Sequence, residues 1–423
     1  MAKIIFVNRF FYPDQSATSQ LLTDLASSLA ADGHEVHVIA SRNRITAERG
    51  QQDRDDAIRL VTIHRVGRNV VQSARLLSRL MNFLQFHVSG AFVLRRQATG
   101  NSIVVTLTDP PLLSVWAYGL LFGRSVHLVN WLQDIYPEIA IRLEVRIVRG
   151  FVGGFLMRLR DQSLRKASAN VVLGEQMARY IEARGVANSS IRVIPNWVDD
   201  DAIHPVAPEA NPLRRDWGLI GKFVIAYSGN LGRVHEFDTV VAAAQRLGHR
   251  QDMRFLFIGG GFQYSALMDS LRQRGLEDLA VFKPYRDQSE LANSLSIADA
   301  HWLSLRPEFE ALIVPSKFYG IAAAGRPVIA IADPNGEIAR LVGAYDCGSV
   351  VAPGDGPALA KLLELMMANR SLGADWGRNA RTMIDTHFSR KHAVAKWRDL
   401  IHSLVAGPPE KEEIERANRP ENG

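Results

Sequence analysis

Apolar runs of strand length alternate with helical patterns along almost the whole chain, and the alternation breaks once, at an acidic, proline-bearing stretch after Pro195. Strands of this kind are buried as parallel sheets with helices on both faces. The first unit is an apolar run at residues 4–8, a loop from Arg9 to Thr18, and a helix with Leu21, Leu22, Leu25 and Leu29 on one face, ending near Gly33. Further strands read at 35–40, 103–107, 126–132, 170–173 and 191–194, so residues 1–195 are expected to form one doubly wound, Rossmann-like domain. Residues 196–222 carry Asp199, Asp200 and Asp201 in a row with Pro205, Pro208 and Pro212, the composition of a linker. A second set of strands, at 223–228, 255–258, 280–282, 300–303, 328–331 and 349–351, predicts a second doubly wound domain over 223–388. A last helix within 389–406 is expected to pack back on the first domain, and the polar tail 407–423 is expected to be disordered. The expected fold class is α/β, with two Rossmann-like halves facing across a cleft.

Composition narrows the function. A chain of 423 residues exceeds one ordinary core, and 47% hydrophobic with 22% charged residues is globular. The net charge of +6 suits an anionic substrate or an anionic membrane surface. Without a dense basic run interleaved with aromatics, or zinc-finger spacing, nucleic acid is not the expected partner. The single cysteine, Cys347, excludes an intramolecular disulfide and points to a reducing cytosol. No signal peptide is read at the start, and the most apolar stretches, Leu80–Leu94 and Pro110–Gly123, are shorter than the roughly 20 residues a membrane-spanning helix needs.

The densest chemistry lies between Glu308 and Ala330. An acidic pair, Glu308 and Glu310, precedes a polar turn at Pro315, Ser316 and Lys317, a small-residue helix from Gly320 to Ala324, and a new strand. That order places a site at the carboxyl edge of a parallel sheet. Carboxylates there suit sugar hydroxyls, while Ser316, Lys317 and a helix N-terminus suit phosphate. Upstream, Gly229, Asn230, Leu231 and Gly232 form a flexible turn before a helix near Glu236, with Arg233 and His235 beside it. The run Gly259, Gly260 and Gly261 suits close approach of a ligand or simply a tight turn. In the first half, Asp134 follows a strand and precedes Tyr136, Pro137 and Glu138. It suits a general base for an acceptor hydroxyl and equally a helix N-cap.

Eight segments, in order, carry a resemblance: R-F-F-Y-P-D-Q-S-A-T near the start, L-A-A-D-G-H-E-V after the first helix, L-T-D-P-P at 107, D-I-Y-P-E at 134, I-P-N-W-V-D at 194, Y-S-G-N-L-G-R-V-H-E-F-D-T at 227, F-I-G-G-G at 257 and V-P-S-K-F-Y-G-I-A-A-A-G-R-P-V-I-A at 314. The chain resembles the family-4 retaining glycosyltransferases of the two-domain GT-B fold over nearly its whole length. Within them it is most similar to the bacterial polysaccharide branch that includes colanic-acid-type and fucosaminyl transferases. The resemblance implies a nucleotide-diphosphate sugar, UDP- or GDP-linked, as co-substrate, with no cofactor and no metal.

On that resemblance, Asp134, Glu310 and Lys317 are the expected catalytic groups. The donor is expected to meet Gly229, Asn230, Gly232, Arg233, His235, Gly260, Tyr285, Glu308, Ser316 and Gly320. Two departures stand out: Asn230 and His235 occupy places where relatives carry Arg and Lys, and Gly320 stands where many carry a ribose-binding Glu. The acceptor is expected along the 13–18 loop, at Gln15, Ser16 and Thr18. Two basic, partly apolar stretches are candidate membrane surfaces: 138–166, where Arg142, Arg146, Arg149, Arg158, Arg160, Arg165 and Lys166 outnumber Glu138, Glu144 and Asp161, and 68–96, with Arg75, Arg79, Phe83, Phe86 and Phe92. The resulting expectation is a cytoplasmic enzyme, peripheral at the inner face of the membrane, that elongates a lipid-linked saccharide in exopolysaccharide, capsule or O-antigen synthesis. Alternatives are a same-fold transferase with a soluble acceptor, a nucleotide-sugar epimerase and a catalytically silent binding protein. An NAD-dependent oxidoreductase is disfavoured because neither first strand is followed by G-x-G-x-x-G.

Overall fold

The computed structural model describes residues 1–14, 16–42, 56–67 and 76–406. Gln15, Arg75 and the tail 407–423 therefore lie outside the described residues, as does the side chain of Arg79. Among the described residues, thirteen strands form two parallel sheets. The first contains β1 (Lys3–Val7), β2 (Glu35–Ser41), β3 (Val61–Val66), β4 (Ile103–Thr106), β5 (His127–Leu132), β6 (Ala169–Val172) and β7 (Ile191–Val193), in the order β3-β2-β1-β4-β5-β6-β7. The second contains β8 (Phe223–Asn230), β9 (Met253–Gly260), β10 (Ala280–Lys283), β11 (Ala300–Ser304), β12 (Val328–Ile331) and β13 (Gly348–Val351), in the order β10-β9-β8-β11-β12-β13. The strand order reverses between β1 and β4 in one sheet and between β8 and β11 in the other. Crevices open at such points.

Strand β3 was not among the expected strands. It is an edge strand in which Thr62 is exposed and Ile63, His64 and Arg65 are half-buried, so it lacks the continuous apolar run that marks the inner strands. A second difference concerns the glycine motifs. Gly229 and Asn230 are not part of a turn: they are the last residues of β8, in register with Gly259 and Gly260 at the end of β9. The helix expected near Glu236 spans Asp238–Arg246, where the Glu236 carboxylate accepts the Thr239 N–H at 3.1 Å. The helix after the polar turn begins earlier than expected, at Lys317, and runs to Ala323.

The 196–222 segment is packed rather than loose. Asn211 donates to the Asn293 carbonyl at 2.8 Å, the Val206 N–H donates to Ser296 at 3.0 Å, and Arg214 pairs with Asp299 at 2.7 Å. From the other end of the chain, the helix Arg390–Ala406 crosses to the first sheet. There Trp397 packs on Trp131 at 4.9 Å between ring centroids, and Trp131 stacks on Trp197 at 5.7 Å. Arg398 forks onto both oxygens of Asp32 at 2.6 and 2.8 Å. One apolar cluster thus joins Trp131 and Val172 of the first half to Leu312, Phe318 and Trp397. Burial, more than surface charge, holds the halves together.

Candidate functional site in the cleft

At the β8 edge, the side chain of Lys317 lies across Gly229. A Cβ on Gly229 would stand 2.6 Å from Lys317 Cε, and the residue's φ of 125° is open to glycine and strained for others. Lys317 Nζ sits 5.5 Å from the Tyr227 ring centroid and donates to His235 Nε2 at 3.4 Å. His235 is buried, and its Nδ1 lies 2.5 Å from the Ser304 carbonyl. A carbonyl only accepts, so Nδ1 carries the proton and Nε2 faces the lysine as an acceptor. Burial and the Lys317 charge push the His235 pKa down to about 4, keeping the ring neutral. Burial also pulls Lys317 down to about 8.

The turn after β8 is tied down from below. Ser304 accepts the Glu236 N–H at 3.0 Å, Arg306 donates its N–H to the Val234 carbonyl at 2.9 Å, and Gln263 Nε2 donates to the Gly232 and His235 carbonyls at 2.7 and 2.6 Å. The N–H groups of Gly232, Arg233 and Val234, by contrast, donate to no acceptor among the described residues. Three free donors beside a half-buried ammonium make an anion cradle. Arg233 is exposed at its mouth, 4.1 Å over the Phe262 ring.

Tyr285 lies on the other side of the glycine edge, its ring 3.1 Å from where a Gly259 Cβ would be and 3.5 Å from one on Gly260. A planar base fits against such a surface. Beyond β11, Glu308 pairs with Arg306. Glu310 turns toward Gly336, the N-cap of the helix Glu337–Tyr345, where any Cβ would meet its carboxylate at 2.5 Å. Its Oε1 has no hydrogen-bond partner among the described residues. Burial raises its pKa to about 7, with Asp333 and Glu337 adding to the effect against hydrogen bonds from the helix terminus.

The Asp134 backbone meets this stretch of chain from the first half. It pairs as an isolated antiparallel bridge with Ile313, and the Ile135 N–H donates to the Leu312 carbonyl at 3.0 Å. The Asp134 loop therefore touches the chain between Glu310 and Lys317. Burial, with Asp109 nearby, lifts Asp134 to about 6. Asp109 is itself raised by burial and opposed by Arg9, 3.9 Å away. Asp134 makes no N-cap bond: Pro137 occupies that position for the helix Glu138–Arg142.

The remaining expected residues lie around this centre. Ser16 caps the helix Ala17–Ala31 by accepting the Ser19 N–H at 3.3 Å, and Thr18 is half-buried in its first turn, both after β1. Ser316 is exposed at the N-cap before Lys317, with no capping hydrogen bond. Gly320 lies one turn further, and a Cβ there would contact Leu295 at 3.5 Å. Sequence reasoning missed Tyr227, Ser304, Arg306, Asp109 and Gly336. Tyr227 and Asp109 stand within motifs already marked, at Y-S-G-N and L-T-D-P-P, and Arg306 two residues before E-F-E, whereas Gly336 carries no local signal.

A cavity of about 400 Å³ lies elsewhere. It opens on the side where the chain crosses between halves, lined by Gly174, Pro195, Tyr319, Arg340, His387 and Lys396 among others. Of the candidate membrane surfaces, Phe86 and Arg160 are corrections: both are buried, Phe86 against the first sheet and Arg160 in an ion-pair network. Phe92 is exposed as expected, with Met81, Leu84 and Val88 on the same helix, and Phe122, Ile147, Phe151, Val152 and Phe155 are exposed as well. No helix among the described residues is long and apolar enough to cross a membrane.

Two family descriptions match the two halves: "Glycosyl transferase 4-like domain" over residues 18–197 and "Glycosyl transferases group 1" over 211–383. The chain is 29% identical over 338 residues to the probable glycosyltransferase WbjE of Pseudomonas aeruginosa, covering 78% of this chain and 82% of that one. It is 25% identical over 355 residues to WcaI of Escherichia coli K12, a putative colanic acid biosynthesis glycosyl transferase, covering 80% and 85%. The fold matches Anabaena HepE, solved with UDP-glucose, at a TM-score of 0.70 and 15% identity, covering 95% of this chain and 100% of that one. With two facing parallel-sheet halves and both family matches in chain order, the protein belongs to the family-4 glycosyltransferases of GT-B fold.

Proposed function

We propose that this glycosyltransferase moves a sugar from a UDP- or GDP-linked donor to a lipid-linked saccharide during synthesis of a cell-surface polysaccharide, with retention at the transferred carbon. The observation that carries the reading is Lys317 laid over the glycine end of β8 and oriented by a neutral His235, with the Asp134 loop bridged to the same stretch of chain at Ile313. The donor diphosphate fits the cradle of Lys317 and the Gly232–Val234 amides, with Arg233 at its mouth. Its base fits beside Tyr285. Glu310, with Glu308 nearby, is the proposed partner of the donor sugar hydroxyls, and Gly320 leaves the ribose without the carboxylate many relatives supply.

The bond between the sugar and the diphosphate breaks as the acceptor hydroxyl attacks from the same face, and negative charge grows on the leaving oxygen. A fixed cation in a desolvated site stabilises that charge far better than water does. Asp134 is proposed to hold the acceptor hydroxyl and ease its proton away. Ser16 and Thr18, with Gln15 beside them in sequence, are the proposed acceptor contacts. The proposal needs no cofactor and assigns no metal.

HepE was solved with UDP-glucose, and WcaI is named for colanic acid synthesis; both support the donor and pathway classes. A lipid-linked acceptor is supported by the exposed apolar stripe at Met81, Leu84, Val88 and Phe92. Exposed Phe122, Ile147 and Phe151 add to it, flanked by Arg95, Arg96, Arg124, Arg146 and Arg149. The same stripe supports the reading that the enzyme works peripherally on an anionic cytoplasmic leaflet. The test is protection from thermal unfolding by a panel of UDP- and GDP-sugars, with NAD and NADP as controls, followed by transfer onto a lipid extract of the native membrane. Protection by a dinucleotide alone would refute it.

A further inference from the structure

The loop that carries Asp134 is held from two sides. In front, Asp134 and Ile135 pair with Ile313 and Leu312 of the other half. Behind, Arg160 extends from the helix Phe151–Lys166 with its side chain only 3% exposed. All three arms of its guanidinium are used: Nη1 donates to the Tyr136 carbonyl at 2.9 Å, Nε to Asp161 Oδ1 at 2.9 Å, and Nη2 to Glu138. Glu138 accepts a second bond from the Tyr180 hydroxyl at 2.8 Å, and Arg184 closes the far side of Asp161 at 3.1 Å. Arg160, Asp134 and Tyr136 also line one small cavity of about 20 Å³, enough for a single water.

This network is costly to bury. Such ion pairs roughly break even against an apolar packing, so stability alone is a weak reason for one directly behind a functional loop. A planar fork with three fixed acceptors does something an apolar contact cannot: it sets the position and tilt of the peptide it grips. Here that peptide is the Tyr136 carbonyl, two residues from Asp134.

We infer that Arg160, fixed by Glu138 and Asp161, is a positioning residue for sugar transfer: it holds the Asp134–Tyr136 turn from behind so that Asp134 meets the donor loop at Ile313. The role rests on the proposed reading of Asp134 as the acceptor-side carboxylate. Misplacing a reacting group by about 1 Å costs on the order of a hundredfold in rate, and the fork is the contact on this side of the loop that prevents it.

The test uses the full-length protein, the UDP- or GDP-sugar that the wild type transfers, and a lipid extract of the native membrane as acceptor. Arg160→Lys keeps the charge and loses the fork; Glu138→Gln keeps the shape and loses the charge; Tyr180→Phe removes one hydroxyl and is the mildest. The first two are expected to lower kcat by roughly ten- to a hundredfold with donor KM within about twofold, since the Lys317 side is untouched. Tyr180→Phe is expected to lose a few-fold. Combining Glu138→Gln with Asp134→Asn is expected to cost far less than the product of the two losses, because both act through one carboxylate. A folded Glu138→Gln or Tyr180→Phe protein with wild-type kcat, or losses that simply multiply, would overturn the role. Full turnover by Asp134→Asn alone would instead overturn the reading of Asp134 on which it rests.

Discussion

Lys317 is the proposed stabiliser of the leaving diphosphate, and its surroundings explain why it was readable. It stands in a polar turn before a helix, the local pattern of a phosphate site, so sequence alone marks it. The partner that orients it does not share that signal, since His235 lies far back in the chain and becomes a neutral acceptor only through burial beside Ser304. Replacing Lys317 by Met should cut kcat at least a hundredfold, about the loss expected for one preorganised electrostatic donor, while leaving thermal unfolding cooperative. Asp134 must be ionised and Lys317 protonated, so kcat/KM should rise through about pH 6 and fall through about pH 8. A profile flat from pH 5 to 9 would contradict those roles. Asp134 also costs stability. Its folded pKa near 6 lies above the ordinary 3.8, so its contribution is favourable at low pH and lost as pH rises through 6. Asp134→Asn should therefore stabilise the protein at pH 7.5, by up to about 3 kcal/mol, and hardly at pH 3.5. Calorimetry at the two pH values reads the difference.

At the scale of elements, the ends of β8 and β9 act as one platform. The glycines were visible as motifs, yet their pairing was not, because Gly229 and Gly259 meet only when the two strands lie in register. Each glycine makes room for a different neighbour: Gly229 for Lys317, Gly259 for Tyr285 and the Gly229 carbonyl. Gly229→Ala should displace Lys317 and lose activity nearly as fully as Lys317→Met, with a stability loss of about 1–3 kcal/mol from the strained φ. Activity and urea unfolding measured together distinguish this from global collapse. Strand β3 escaped notice for the opposite reason: an edge strand, solvated along much of its length, has no apolar run to reveal it. The inner strands of both sheets were legible because burial gives them continuous apolar runs, and the half-buried edges β10 and β13 because each keeps a short apolar run, at 280–282 and 350–351.

The whole molecule joins the two halves through a core that crosses between them and through direct contacts at the cleft. Gly174 abuts Glu337, whose carboxylate accepts the Gln176 N–H at 3.1 Å, so the N-termini of two helices from opposite halves converge on one buried acid. Gln176 and Glu337 stand 161 positions apart, which is why Glu337 was not legible as part of a site. The exposed aromatic surface belongs to this scale as well. Vesicle flotation should show binding to anionic membranes that weakens with salt and falls about tenfold or more when Phe92 and Phe151 are both changed to Ser. The position of a bound donor diphosphate decides whether Lys317 and the Gly232–Val234 amides have the proposed role. A crystal structure with whichever of UDP and GDP protects the protein better should place the diphosphate within about 3 Å of Lys317 Nζ and the Gly232–Val234 amides, with the base beside Tyr285. A nucleotide found elsewhere, or a diphosphate that leaves Lys317 and His235 untouched, would contradict it.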